Sequence, residues 1–101
     1  TFKQYYQMYL TLHKNKWNRR LHVLGQFFTI AYFILCVYLT FWKSLFFLPL
    51  FIALPFVVYP FAWSGHLFIE KNKPAAFKNP LWAKAADWVM LKDIITGKIK
   101  F

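Results

Sequence analysis

His13, His22 and His66 are the only histidines in a chain of 101 residues, and each lies just outside one of two long apolar runs. Imidazole is both a nitrogen ligand for transition metals and the side chain that titrates near neutral pH. Asn15, Asn18 and His22 are spaced by three, four and seven, which places them on one helical face. His13 is nine positions before His22, half a turn out of phase, so the two meet at one ligand only if the helix bends between them. His66 and Glu70 are four apart and share a face, and Gly65 beside them allows another backbone to come close. Three imidazoles with one carboxylate suit Fe(II), Zn(II) or Mn(II), and two histidines with one carboxylate is a known arrangement of oxygen-activating iron. A metal site and a set of interfacial or hydrogen-bonded histidines both fit this spacing, because histidine avoids the bilayer centre in any case.

Other chemistries find no residues to carry them. There is no nucleophile elbow, phosphate loop or HExxH, and Ser64 and His66 share one short segment, where they cannot face each other in attack geometry. Three histidines are too few for the histidine boxes of a membrane di-iron hydroxylase or desaturase. The single cysteine, Cys36, excludes a disulfide framework and a thiolate zinc site, and reads as lipid-facing or as packing filler.

The elements that must position the histidines follow from hydropathy. Leu24 to Trp42 and Leu45 to Trp63 contain no Lys, Arg, Asp, Glu or His, and each is about 28 Å long as a helix, close to the hydrocarbon thickness of a bilayer. Only Lys43 and Ser44 lie between them, so the two spans form a tight helical hairpin with both ends on one side. Lys43 is the only one of 13 Lys and Arg at that turn, and the other twelve orient both termini toward the cytoplasm. The charge of +10 is therefore a topology signal, and with 59% hydrophobic residues it argues against a nucleic-acid partner. The first apolar run is too long for a cleavable signal peptide and continues into a hairpin. The fold expected is an all-α membrane protein, one domain over residues 1–101, in a bacterial inner membrane or the endoplasmic reticulum.

Pro49, Pro55 and Pro60 predict kinks in the second span near Pro55 and Pro60, with a re-entrant segment as the alternative. WSGHLFIEKN carries that helix on toward Pro74. Asn79 before Pro80 predicts an N-cap, and Gly97 a stop, for a helix over about residues 80–96. Its Leu81, Ala85, Trp88, Leu91 and Ile95 recur at helical spacing with Lys84 and Lys92 opposite, an amphipathic helix for the cytoplasmic bilayer surface or the ends of the hairpin. Phe2 to Leu12 predicts a second, shorter amphipathic helix, whose Phe2, Tyr5, Tyr6 and Tyr9 read as an interfacial aromatic belt. Arg19 and Arg20 are topogenic residues that can also hold a lipid carboxylate or phosphate at headgroup depth. Glu70 can form a solvated pair with Lys71 or Lys73.

YLTLHKNKWNRRLHVLG and GHLFIEKNKPAAFKNPLWAKAADWVM, in that order, resemble the 2-hydroxy fatty acid dioxygenase family, small membrane proteins long catalogued as a domain of unknown function. Its fungal member carries phytosphingosine to odd-numbered fatty acids. The resemblance implies an Fe(II)-dependent α-oxidation of a long-chain 2-hydroxy fatty acid by dioxygen, giving an acid one carbon shorter. It places His13, His22 and His66 on the family's histidine positions and Asn18, Glu70 and Pro74 on its other marked ones. The expected catalytic and metal residues are His13, His22, His66 and Glu70, the last by direct ligation or through a hydrogen bond to an imidazole. Asn18, Arg19 and Arg20 are the expected substrate contacts. The fungal pattern has a further histidine where this chain has Lys14, so the chain resembles a short bacterial-type version with one potential ligand fewer. A non-catalytic protein that binds membrane lipid or assists assembly is the alternative, and oligomeric state is left open.

Overall fold

A computed structural model of the chain describes residues 1–74 and 79–101, and among these residues every regular element is helical. Helix α1 (Phe2–Thr11) opens on a capping box in which the Thr1 hydroxyl accepts from the Gln4 N–H and the Gln4 side chain accepts from the Thr1 amine. Asn15 then caps α2 (Lys16–Tyr38), its side-chain oxygen accepting from the Trp17 N–H at 2.8 Å. His13 sits in the link between the two helices. The phase difference between His13 and His22 is thus resolved by a full break, where the spacing predicts a bend.

Helix α2 runs on through a π-helical turn, Leu39–Lys43, and the chain reverses at Ser44, whose extended backbone and hydroxyl cap the next segment at Phe46. The return packs antiparallel to α2. The Tyr32 hydroxyl donates to the Leu50 carbonyl at 2.7 Å, Phe33 meets Phe51 edge-on and Phe28 stacks on Phe61. Two continuous helical segments, Lys16–Lys43 and Leu45–Glu70, are long and apolar enough to cross a membrane. Phe27, Ile34, Phe41, Trp42, Phe46 and Ile52 are exposed on their outer faces, an apolar surface far beyond the isolated residues of a soluble protein. Cys36 is buried between the helices as packing filler.

The second segment departs from the expected kinked α-helix. Residues Leu45–Phe56 form a 3-10 helix containing Pro49 and Pro55, and α3 (Tyr59–Ser64) begins with Pro60 in its first turn. A proline ring clashes with the carbonyl four residues back, so tighter i to i+3 bonding takes over, and Pro60 is tolerated where its missing N–H has no partner to lose. A π-helical turn, Gly65–Glu70, then completes the segment.

Helix α4 (Pro80–Ile95) starts at the Asn79 cap and ends before Gly97, which takes a φ of 86°. Its inward face is a correction to the stripe expected. Of that stripe only Leu91 is buried, and Leu81, Ala85, Trp88 and Ile95 point outward, whereas Ala83, Ala86, Asp87, Met90 and Asp93 are buried. The reason is α1, whose Tyr5 and Tyr9 pack with Ala83, Ala86 and Met90 in one core cluster. Small alanines leave room for the phenol rings. The hydroxyls of Tyr5 and Tyr6 donate to the Asn79 carbonyl at 3.3 Å and the Asp93 carboxylate at 2.7 Å, and that of Tyr9 donates to Asp87. These aromatics bind two helices together, in place of the interfacial belt expected of them.

Two glycines set how closely the hairpin closes. A Cβ on Gly25 would lie 2.9 Å from the Val58 side chain, and one on Gly65 would lie 1.8 Å from the Asn18 side-chain oxygen. Gly65→Ala is therefore expected to cost about 1–3 kcal/mol through overpacking. In thermal unfolding of the detergent-solubilised protein, Asn18→Ala combined with Gly65→Ala should cost less than the two single changes added, since the clash is removed. Strict additivity would mean that the two residues do not meet.

Candidate metal centre

The three histidines come from three different elements and converge. His13 lies after α1, His22 on the second turn of α2 and His66 in the π-helical turn after α3, and all three are buried, with exposures of 1%, 2% and 1%. One ring nitrogen from each lies within 4.8 Å of the others. The other nitrogens are already committed. His13 Nδ1 is 2.6 Å from the Tyr9 carbonyl and His22 Nδ1 is 2.9 Å from the Asn18 carbonyl. A carbonyl only accepts, so both Nδ1 atoms carry the proton.

His66 is fixed by a longer chain of contacts. Its Nδ1 is 2.7 Å from the Asn72 side-chain oxygen, and the Asn72 amide nitrogen donates to the Leu12 carbonyl at 3.1 Å, which fixes which way the amide faces. Asn72 reaches this place because Lys71 adopts a left-handed backbone with a φ of 57°, a conformation that costs an ordinary residue about 1–2 kcal/mol. With each Nδ1–H donated, each neutral ring presents an unprotonated Nε2 to the centre. His13 Nε2 and His22 Nε2 are 3.1 Å apart with two lone pairs facing each other. Burial and the neighbouring His22 hold the His13 pKa down at about 2, so a proton is a poor way to relieve that repulsion. A metal cation accepts both lone pairs at once. The donor set therefore fits a transition metal.

The remaining residues singled out by sequence are placed elsewhere. Glu70 is not brought into the histidine group: its carboxylate accepts from the Asn15 N–H at 2.5 Å and the Asn18 amide at 3.5 Å, holding the start of α2 against the end of the second segment. The described contacts of Glu70 are therefore to α2, and its expected place among the metal residues gains no support from them. Asn18 is fully buried beneath the site, its backbone carbonyl on His22 and its side-chain oxygen against Gly65. Arg19 donates to the carbonyls of His13, Lys14 and Lys100, and Arg20 donates to the Phe101 carbonyl while stacking on Trp17 and Phe101. None of Asn18, Arg19 and Arg20 lines the cavity at the histidines, so the structure does not place them as substrate contacts.

That cavity of about 20 Å³ is walled by the three histidines together with Tyr9, Tyr59, Trp63, Pro74, Lys84 and Asp87, among others. Asp87 is not among the residues the sequence singles out, and Lys84 is read there only as part of the polar side of α4, because the expected apolar stripe turns both away from the hairpin. A signal was there: Asp87 is one of three acidic residues in a chain of charge +10 and stands in an otherwise apolar stretch. Burial pushes its pKa up to about 6, against the hydrogen bond from Tyr9 and the charge of Lys84. Tyr9 links it to the histidine cluster, stacking on His13 with ring centroids 3.9 Å apart. The Lys84 ammonium lies over the Tyr59 ring, 4.4 Å from its centroid, and burial lowers its pKa despite the nearby Asp87.

If the imidazoles form the ligand set, replacing His13, His22 or His66 by Ala should each lower bound iron by at least tenfold, since even partners one shell out cost 10–100-fold in metal affinity. Glu70→Gln should keep one metal per chain. Elemental analysis of the purified variants decides between the two patterns, and loss of metal only in Glu70→Gln would reverse the assignment.

Residues 1–99 match the family described as 2-hydroxy-palmitic acid dioxygenase Mpo1-like. No curated protein and no solved structure matches the chain. A match over nearly the whole sequence, on residues that the fold draws into one buried histidine cluster, establishes that the chain belongs to the 2-hydroxy-palmitic acid dioxygenase Mpo1-like family.

Proposed function

We propose that this protein is an iron-dependent dioxygenase that shortens a long-chain 2-hydroxy fatty acid by one carbon. The observation that carries the reading is the pair of facing Nε2 lone pairs in a buried site whose Nδ1 protons are all spent. Such a trio is arranged for a cation, and the family's description names the chemistry. His13, His22 and His66 would hold Fe(II), which when bound supplies electrons to dioxygen and coordination to the hydroxyl and carboxylate oxygens of the substrate. The stoichiometry needs no further reductant: a 2-hydroxy acid and one dioxygen give the acid one carbon shorter, carbon dioxide and water. All four electrons taken up by dioxygen come from the two carbons whose bond breaks.

The chain's own residues do the positioning. Asn72 and the carbonyls of Tyr9 and Asn18 hold the imidazoles in one tautomer, while α4 covers the centre and excludes water. Tyr59 and Trp63, on the last part of the second apolar segment, line the cavity, so an acid entering from the bilayer meets the site without leaving lipid. The cavity has room for a polar head rather than a chain. In this reading both termini are cytoplasmic, from the charge asymmetry about Lys43, which reporter fusions at Ser44 and at each end would check.

Reconstituted protein loaded with Fe(II) should convert 2-hydroxypalmitate to the C15 acid, consuming one dioxygen per product, and should leave palmitate unchanged because it lacks the second chelating oxygen. Mass spectrometry of the products is the assay. Absence of any shortened acid across a range of chain lengths, with iron bound, would favour a non-catalytic lipid-binding role.

A further inference from the structure

A fatty acid brings a carboxylate to the site, and the two arginines expected to receive it are already bound to backbone carbonyls. Among the described residues that wall the histidine cavity, Lys84 is the one Lys or Arg. It projects from α4, opposite the second apolar segment, and its half-buried ammonium rests on the Tyr59 ring. Asp87, one turn along the same helix, accepts the Tyr9 hydroxyl. A cation held against an aromatic face in a partly desolvated pocket keeps bonding capacity for an anion, since the ammonium has three N–H groups and the ring face engages only the side turned toward it.

A second cleft of about 90 Å³, walled by Trp63, Leu67, Asn72, Lys73 and Pro74, adjoins this cavity and shares Trp63 and Pro74 with it. Its lining is mostly apolar. The two spaces together match a molecule with an anionic head at the histidines and methylene groups passing Trp63.

We propose that Lys84 is the carboxylate anchor of this site, binding the acid's head beside the histidines while the chain leaves past Trp63 into the adjoining cleft. The inference rests on the fatty-acid reading above and adds the residue that selects an acid over its uncharged analogues. Two recognition elements then divide the work. The metal distinguishes a 2-hydroxy acid from a plain acid by chelation, and Lys84 distinguishes a carboxylate from an amide or alcohol by charge.

Binding measured by quenching of tryptophan fluorescence, with 2-hydroxypalmitate and its neutral amide 2-hydroxypalmitamide as probes, separates these roles. Wild type should favour the acid. Lys84→Gln should weaken acid binding about ten- to hundredfold, the worth of one charged hydrogen bond, and leave the amide nearly unchanged. Lys84→Arg should restore part of the preference, and Arg20→Gln should retain all of it. Metal content equal to wild type shows that the variants are folded. A Lys84→Gln protein that still prefers the acid, or a wild type without the preference, overturns the anchor. An intact, Lys84-dependent preference in a wild type that turns nothing over upholds the anchor and overturns the dioxygenase reading instead.

Discussion

Two imidazole nitrogens 3.1 Å apart, neither able to donate to the other, are the constraint around which this small protein is built. Such a contact is tolerable only where the rings are forced together and a cation can enter. Forcing them together takes contributions from much of the chain. The Tyr9 carbonyl at the end of α1 orients His13, the Asn18 carbonyl in α2 orients His22, and Asn72, placed by the left-handed Lys71, orients His66. The Leu12 carbonyl joins two of these supports, receiving the amides of both Asn18 and Asn72.

The three acidic residues of the chain are all spent near this centre. Glu70 ties the start of α2 to the end of the second segment, while Asp87 and Asp93 receive the hydroxyls of Tyr9 and Tyr6 and fasten α1 to α4. Asp87 and Asp93 are buried, and leaving either carboxyl without its partner costs about 1–3 kcal/mol, so these two fix α1 and α4 in one register. The hairpin alone gives α2 and the second segment a mutual packing surface, but His13 and the cover over the site come from outside it. The tyrosine and aspartate pairs connect the two halves.

What could be read from the sequence and what could not follow a physical division. The turn at Ser44, the Asn79 cap and the Gly97 stop depend on a few adjacent residues, and local chemistry specifies them. The histidines could be picked out because their type is rare and their positions bracket the apolar runs. The role of Glu70 could not, because its spacing from His66 is compatible with the same helix face whether the carboxylate meets a metal or the Asn15 N–H. Arg19 and Arg20 have no local signal that distinguishes a headgroup from a backbone carbonyl, and besides the nearby His13 and Lys14 carbonyls that Arg19 reaches, each has an acceptor 81 residues away in sequence, at Lys100 and Phe101. The buried face of α4 was hidden for a related reason. Hydropathy favours Leu81 and Ile95 as the inward residues, whereas the phenol rings of α1 require small alanines and an acceptor, a tertiary demand that no property of α4 by itself reveals.

The tautomer state of the histidines is the most direct test of this account, because the convergence of unprotonated Nε2 atoms is what suits the cluster to a metal. Nitrogen-15 NMR of the ring nitrogens in the metal-free protein at neutral pH should show, for His13, His22 and His66 alike, a protonated Nδ1 and an unprotonated Nε2. Addition of diamagnetic Zn(II) should then move all three Nε2 signals together. A protonated Nε2 on any of the three, or Nε2 signals that ignore the metal, would contradict it.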